Sequence, residues 1–312
     1  MARYLVTGGC GFIGGHLVED LLADGHQVRV LDDLSTGSAA MVPPRAELIR
    51  GDVAHARDVA AAAAGVDGIF HLAAIASVPR CRAAPARARA VNRAGTGHVL
   101  AAAAAARGAT PAVVLASSAA VYGDAGAVPV PESRPPAPLS CYGADKLAGE
   151  RLARSFGVIG VTALRFFNVY GPRQDPRSPY SGVISIFADE LSRGAPVSIH
   201  GDGRQTRDFV HVHDVVAHLR AAMARRTVRG GPGPGLDVFN VCTGRATTLL
   251  GLIAILAQGS GTRAVIHHAP ARPDDIRHSV GDATLARAAL GVSARWRLED
   301  GLAALAGLAA AK

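Results

Sequence analysis

The sequence predicts an α/β fold, a doubly wound parallel sheet followed by a smaller C-terminal lobe. Three observations carry this expectation. Short apolar runs alternate with helical patterns through the first half of the chain, a glycine-rich turn joins the first run to the first helix, and the alternation breaks after Asn168 into Gly- and Pro-rich chain. Parallel strands need crossover connections, usually helices, and these are right-handed in nearly all sheets. The larger domain is expected over residues 1–168, with segments near 205–241 returning to it, and the smaller lobe over 169–204 and 242–312.

Tyr4-Leu5-Val6-Thr7 reads as a buried strand, followed at once by Gly8-Gly9-Cys10-Gly11-Phe12-Ile13-Gly14-Gly15 and a helix through Leu17, Val18, Leu21 and Leu22. Gly8, Gly11 and Gly14 have the spacing that lets backbone approach a pyrophosphate while a helix N-terminus faces its charge. The unit is Rossmann-type. A second strand, Val28 to Leu31, ends in Asp32, placed to accept hydrogen bonds from an adenosine ribose. A carboxylate there repels a 2′-phosphate, which favours NAD over NADP. The third strand, Glu47 to Arg50, runs into Asp52, which either meets the adenine amine or caps a helix starting near Arg57.

Gly68 to Ala74 is a strand running into small residues, which leaves room for a cofactor at the carboxyl edge of the sheet. His71 reads as a packed strand-end residue. The alanine-dense stretch Ala83 to Arg107 is expected to be one helix. Ala112 to Ser118 is a buried strand ending in two hydroxyls, and a proline-rich loop from Pro129 to Pro138 leads to a helix opening Ser140-Cys141-Tyr142-Gly143-Ala144-Asp145-Lys146. Residues at i and i+4 share a helix face, so the Lys146 ammonium can lower the Tyr142 phenol from about 10 and make a base of it.

In the second half, a turn at Gly201-Asp202-Gly203, a strand from Thr206 to Val212 and a helix from Asp214 are expected. A loop at 230–235, a strand from Asp237 to Val241, a helix near Leu249 to Gln258, a strand around Val265 to His268 and two terminal helices complete the chain.

Lys+Arg 33 against Asp+Glu 25 gives a net charge of +8. The arginines are scattered without interleaved aromatics, so a small phosphorylated substrate is expected rather than nucleic acid. Cys10, Cys81, Cys141 and Cys242 form no Cys-x-x-Cys pair, which fits a reducing cytoplasm and gives neither disulfides nor zinc. His211-Val212-His213-Asp214 lacks a third ligand, so no metal is expected. Met1 runs directly into a strand with no signal-peptide features, and no apolar run approaches membrane-spanning length.

With these residues in hand, the chain resembles the nucleotide-sugar 4-epimerases of the extended short-chain dehydrogenase/reductase family. The resemblance rests on TGGCGFIG (Thr7 to Gly14), LDDLSTG (Leu31 to Gly37), HLAA (His71 to Ala74), SSAAVYG (Ser117 to Gly123), YGADK (Tyr142 to Lys146), RFFNVYGPRQDP (Arg165 to Pro176), GDGRQTRDFVHVHDVV (Gly201 to Val216) and RPDDIRHSVGD (Arg272 to Asp282). It implies tightly bound NAD, held by Gly8, Gly11, Phe12, Ile13, Gly14, Asp32, Asp33, Ser35, Thr36, Gly37, Asp52, Val53, Leu72, Ala73, Ala74, Asn92 and Ser117, together with Tyr142 and Lys146. It implies Ser118 as the catalytic hydroxyl, Tyr142 as base and Lys146 as the residue that tunes it. A UDP-sugar would meet Ala76, Ser77, Ser118, Asn168, Gly182, Val183, Arg207, Arg272, Asp275 and Ser279, and the protein would be a homodimer.

The reaction so implied is C4 epimerisation through a 4-keto sugar, on the UDP-glucose/UDP-galactose pair and, because Ser279 is small, on the N-acetylhexosamine pair. Related dehydratases and decarboxylases carry acids where this chain has Ala119 and Ala120, which disfavours both. A UDP-glucuronate 4-epimerase is the nearest rival, although no extra arginine for a carboxylate is evident and Asp175 lies where one would help. A non-catalytic NAD sensor is the remaining alternative; such proteins lose the tyrosine or lysine that this chain keeps. Cys141 stands where many relatives have proline, which alters the start of the helix.

Overall fold

The computed structural model describes residues 1–126, 129–174, 182–228, 230–271 and 276–310. Its elements in chain order are β1 (Arg3–Thr7), α1 (Phe12–Ala23), β2 (Gln27–Asp32), β3 (Glu47–Arg50), α2 (Ala56–Ala63), β4 (Gly68–His71), α3 (Val78–Ala83), α4 (Pro85–Arg89), α5 (Gly95–Ala104), β5 (Ala112–Ser118), α6 (Cys141–Ser155), β6 (Gly160–Phe166) and β7 (Asn168–Tyr170). There follow α7 (Val183–Ser192), β8 (Val197–His200), β9 (Thr206–Arg207), β10 (Phe209–His211), α8 (Val212–Thr227), β11 (Gly235–Val241), β12 (Thr247–Thr248), α9 (Leu249–Ser260), β13 (Ile266–Ala269), β14 (His278–Ser279), α10 (Thr284–Leu290) and α11 (Leu298–Ala310).

Seven parallel strands form the main sheet in the order β11-β6-β5-β4-β1-β2-β3. The doubly wound α/β expectation holds. Because successive strand residues face opposite sides, Val6, Val30, Phe70 and Val114 pack with α1 and α8, while Leu5, Leu31, Ile69 and Val113 pack with α2, α5 and α6. Each fully buried aliphatic side chain contributes about 1.5–3 kcal/mol to holding these layers. The order of strands reverses between β1 and β4, so the carboxyl ends of those two strands frame the crevice where such sheets bind ligands. A separate core forms around Tyr170, Ile184, Phe187, Ile199, Leu252 and Leu302, between α7, α9 and α11 and the β8/β13 pair.

Several expectations need correction. The alanine-rich segment is not one helix. It breaks at Ala84 (φ −135°, ψ 66°), because the residue before Pro85 is pushed out of the helical region, and it passes through a π-helical turn at Ala90–Ala94 before ending at Ala104. Asp52 caps no helix: α2 has His55 at its N-cap, and Asp52 Oδ1 instead accepts the amide of Ala54 at 2.8 Å. The strand expected over Thr206 to Val212 is interrupted at Asp208. That fully buried carboxylate accepts the amides of Thr243 at 2.8 Å and Gly244 at 2.8 Å and the Thr243 hydroxyl at 2.6 Å, so the chain bends toward them rather than continuing a ladder. The following helix begins at Val212, not Asp214, with His211 as its N-cap.

Candidate active site

The phosphate cradle is built from missing side chains. Gly8 has φ +72°, and a Cβ there would lie 2.7 Å from the Ala73 amide nitrogen; one on Gly14 would lie 2.2 Å from the Gly8 carbonyl oxygen. No larger residue fits either place without moving backbone. Gly11 is the N-cap of α1 and supplies no side-chain cap, so the amides of Phe12 and Ile13 at the helix start remain available to an anion. This donor set fits the pyrophosphate of a dinucleotide.

At the end of β2, Asp32 accepts the amides of Cys10 and Leu34, both at 2.9 Å, and Leu34 takes a left-handed φ of 60° to make the second bond. Burial raises the Asp32 carboxyl above its ordinary value, and these two bonds oppose the rise. Asp33 turns back onto Ser35, accepting its amide at 3.0 Å and its hydroxyl at 2.6 Å, which leaves Ser35 and Thr36 on the exposed rim. Gly37 approaches the Cys10 carbonyl so closely that a Cβ would sit 2.6 Å from its oxygen.

On the other side of the crevice, Leu72 and Ala73 hang from Thr7: the Leu72 amide donates to its carbonyl at 3.1 Å and the Ala73 amide to its hydroxyl at 3.3 Å. Ala74 follows them along the same edge. Asn92 spends both ends of its amide on Ile75, accepting from its nitrogen at 2.8 Å and donating to its oxygen at 3.1 Å. It therefore shapes the 73–77 loop from within the π-helical turn, a feature often found at functional sites. Val53 is buried under Gly95, and the Ser117 hydroxyl donates to Glu150 Oε1 at 2.5 Å.

His71 is packed, as expected, with Nδ1 2.7 Å from the Thr7 hydroxyl and Nε2 3.1 Å from that of Thr96. Burial, with help from the charge of Lys146, pushes it down to about 3. The unfolded chain therefore takes up a proton near the ordinary histidine value of about 6.5 that the folded protein refuses until about pH 3. Between those values this residue makes stability fall as pH falls, by up to about 1.4 kcal/mol per unit. Urea midpoints at pH 7 and 4.5 should fall further in the wild type than in His71→Gln; equal falls would show that other groups dominate.

The residues expected to be catalytic lie where β5 and α6 meet. Ser118 ends β5 and its hydroxyl accepts the Ala120 amide at 3.2 Å. Ser140 caps α6 by accepting the Gly143 amide at 3.0 Å, which places half-buried Tyr142 in the first turn. A Cβ on Gly143 would stand 2.4 Å from the Ala120 carbonyl oxygen, so only glycine lets the helix start settle against the turn after Ser118. Lys146 lies one turn on, with Nζ 5.8 Å from the centre of the Tyr142 ring and donating to the Ala116 carbonyl at 2.7 Å. Burial lowers it to about 8, against the opposing charges of Asp145, Cys81 and Glu150. Half-buried Cys141 opens this turn, and all four cysteines are free.

A cavity of about 440 Å³ opens beside these residues, lined among the described residues by Ser118, Ala119, Ala120, Ser140, Phe166, Phe167, Asn168, Arg207 and Ser279, with Val78, Pro79, Arg82, Leu139 and Ile276; Tyr142 and Lys146 lie behind Ser118 and Ser140 and do not themselves line it. Arg207 is aimed by its own backbone surroundings, donating from Nη1 to the carbonyls of Thr206 at 2.8 Å and Ile276 at 2.7 Å. Ser279 pairs with Arg207 across β9 and β14. Four of the expected substrate residues stand apart from this lining. Ser77 is buried and caps α3 through the Arg80 amide at 3.4 Å; Ala76 precedes it, and Gly182 and Val183 open α7. Arg272, Asp275 and Asp175 lie outside the described residues. Sequence reasoning missed Arg82 and the Phe166-Phe167 wall, although both phenylalanines stood within the RFFN motif.

A second depression of about 590 Å³, on the outer face of α6 around Ala144, Ala148, Arg151 and Leu152, lies away from the reactive groups. No helix is long and apolar enough to cross a membrane, and no group of metal-ligating side chains occurs, among the described residues.

Residues 4–242 match the NAD dependent epimerase/dehydratase family. The chain is 40% identical over 312 residues to a UDP-glucose 4-epimerase of Mycolicibacterium smegmatis, covering 96% of each. Among solved structures it is similar to a UDP-glucose 4-epimerase from Thermotoga maritima with UDP-glucose (TM-score 0.88, 35% identity, 96% of each chain). It is also similar to a UDP-N-acetylglucosamine 4-epimerase from Methanobrevibacter ruminantium in complex with UDP-N-acetylmuramic acid (TM-score 0.88, 31% identity, 97% of this chain and 96% of that one).

Proposed function

Since the chain belongs to the NAD dependent epimerase/dehydratase family, we propose that it is a UDP-sugar 4-epimerase and that Ser118, Tyr142 and Lys146 carry its chemistry. The observation that carries this reading is one cavity that brings Ser118, at the end of β5, together with Ser140, the cap of α6, and has Ala119 and Ala120, not acids, on its wall. NAD supplies a hydride acceptor that becomes the donor for the return step. Tyr142, as phenolate, removes the proton from the sugar 4-hydroxyl. Ser118 hydrogen-bonds that oxygen and holds it toward the phenol, and the Lys146 ammonium favours the phenolate by its charge. The resulting 4-keto sugar turns in the cavity before reduction on its other face. Neither alanine can move a proton at C5 or C6, so water is not eliminated across that bond.

Arg207 suits a diphosphate because its guanidinium is already oriented. Small Ser279 leaves space for an N-acetyl group at the sugar, and Arg82 on the cavity rim favours a second reading. It supplies the cation for a uronate carboxylate that the sequence did not reveal. The reading further holds that the two-lobe division falls near Asn168, that NAD stays bound between turnovers, and that the enzyme is a cytoplasmic homodimer, for which the free thiols and the outer face of α6 are the supports.

Incubation with UDP-glucose, UDP-N-acetylglucosamine and UDP-glucuronate separately, with products resolved by NMR, tests the proposal. A C4 epimer from the first two is expected; one from UDP-glucuronate alone would favour the Arg82 reading. No epimer from any of them, with NAD bound, would refute the function. In the same assay Gly143→Ala should keep its NAD and lose kcat on the order of 10²-fold, because a shift of about 1 Å in the base costs that much. Unchanged kcat would show that the α6 start tolerates displacement.

A further inference from the structure

Arg87 belongs to no motif, yet it reaches across the cofactor crevice. It lies on α4, in the connection that follows β4, while its partners stand at the carboxyl ends of β2 and β3. Its Nη1 donates to Asp52 Oδ2 at 2.5 Å and its Nη2 to Asp33 Oδ2 at 3.0 Å. Both acids are themselves held, Asp33 by Ser35 and Asp52 by the Ala54 amide at 2.8 Å. Although burial works to raise the Asp52 carboxyl, the Ala54 amide and the Arg87 guanidinium outweigh it and hold the group below its ordinary value. The guanidinium is thus a tie between two neighbouring strand ends, with one nitrogen committed to each carboxylate.

The carboxyl ends of those two strands are where an adenosine rests on a sheet of this kind. A planar cation fixed at both edges offers its face to an aromatic ring, and a purine face attracts it. The side chain of Arg87 is 41% exposed and those of Asp33 and Asp52 32% and 17%, so the tie stands at the mouth of the crevice and not in the core.

We propose that the Asp33–Arg87–Asp52 tie is a clasp that closes over the adenine of NAD and slows the cofactor's escape. This rests on the NAD site of the proposed function. It adds a positioning role for a residue outside the glycine turn and the Tyr-Lys helix.

The test loads wild type, Arg87→Ala, Arg87→Lys and Asp33→Asn with NAD, transfers each to NAD-free buffer, and follows cofactor release by assaying NAD in the filtrate over time. Arg87→Ala should release NAD on the order of tenfold faster. Lys keeps the charge but not the planar face, and should fall between. Added salt should narrow the difference, since an exposed tie is screened. Asp33→Asn cuts one end without touching α4 and decides the matter if Arg87→Ala fails to fold by circular dichroism. Equal release from the variants and wild type overturns the clasp while leaving the NAD site intact. Slower release from Arg87→Ala overturns it too, showing a plug that the cofactor must displace. A wild type that takes up no NAD removes the clasp together with the site beneath it.

Discussion

Tyr142→Phe is expected to lower kcat by a factor on the order of 10²–10⁴ while leaving NAD bound. The substitution removes one oxygen and keeps the ring, so the half-buried packing of the first α6 turn and the neighbouring Lys146 are preserved. What disappears is the phenol that the proposed mechanism uses to take the proton of the sugar 4-hydroxyl. Lys146 cannot replace it, because as an ammonium, donating to the Ala116 carbonyl at 2.7 Å, it has no lone pair to take a proton. Single-turnover formation of the 4-keto sugar, followed by trapping with borohydride, separates this step from binding. If Tyr142→Phe retained more than a tenth of wild-type kcat, the phenol would not be the base.

The second large effect concerns stability. Glu150 and Arg165 are each about 5% exposed at the side chain, and the carboxylate takes both arms of the guanidinium, at 2.9 and 2.7 Å, plus the Ser117 hydroxyl. The Arg165 guanidinium also lies 4.7 Å from the centre of the Tyr122 ring. Glu150→Ala leaves that cation buried without its counter-charge, which should cost about 3–5 kcal/mol in urea unfolding. Removing both charges, as Glu150→Ala with Arg165→Met, should recover most of the loss, because an apolar pair carries no desolvation penalty. A loss below about 1 kcal/mol in the single variant would show that water reaches Arg165. The pair ties α6 to β5 and β6 directly behind Ser118, so kcat should fall with stability in the single variant and return in part in the double.

The strands and the glycine turn were legible because their signals are local. Tyr4 to Thr7 is a run of apolar residues closed by a turn that only glycine can make, and the Ala112 to Ser118 strand matches the structure residue for residue. The breaks were not legible, because their causes lie elsewhere in the chain. Asp208 interrupts a strand in order to reach Thr243 and Gly244, about 35 residues away. Asp52 looked equally able to cap a helix, but its own loop, through the Ala54 amide, and Arg87, a side chain from another connection, decide its orientation. The Tyr142 and Lys146 pair was readable from spacing, whereas Ser77, expected to meet the sugar, turned out to be spent on a helix cap. Size and position predict a neighbourhood; hydrogen bonds decide which way a side chain turns.

The place of β11 at the end of the sheet has a consequence for how the chain is made. Six strands of the sheet are complete by Phe166, but the seventh, pairing with β6 along its full length from Gly160 to Phe166, begins only at Gly235. During synthesis the open amides and carbonyls of β6 must wait for some seventy further residues to leave the ribosome, in a chain whose β6 residues Val161, Ala163 and Leu164 end fully buried. An apolar strand edge left unpaired is a template for pairing with other chains. Fragments ending near Asn168 should therefore aggregate rather than form a free-standing nucleotide-binding half, and the nascent chain has most need of a chaperone in that interval.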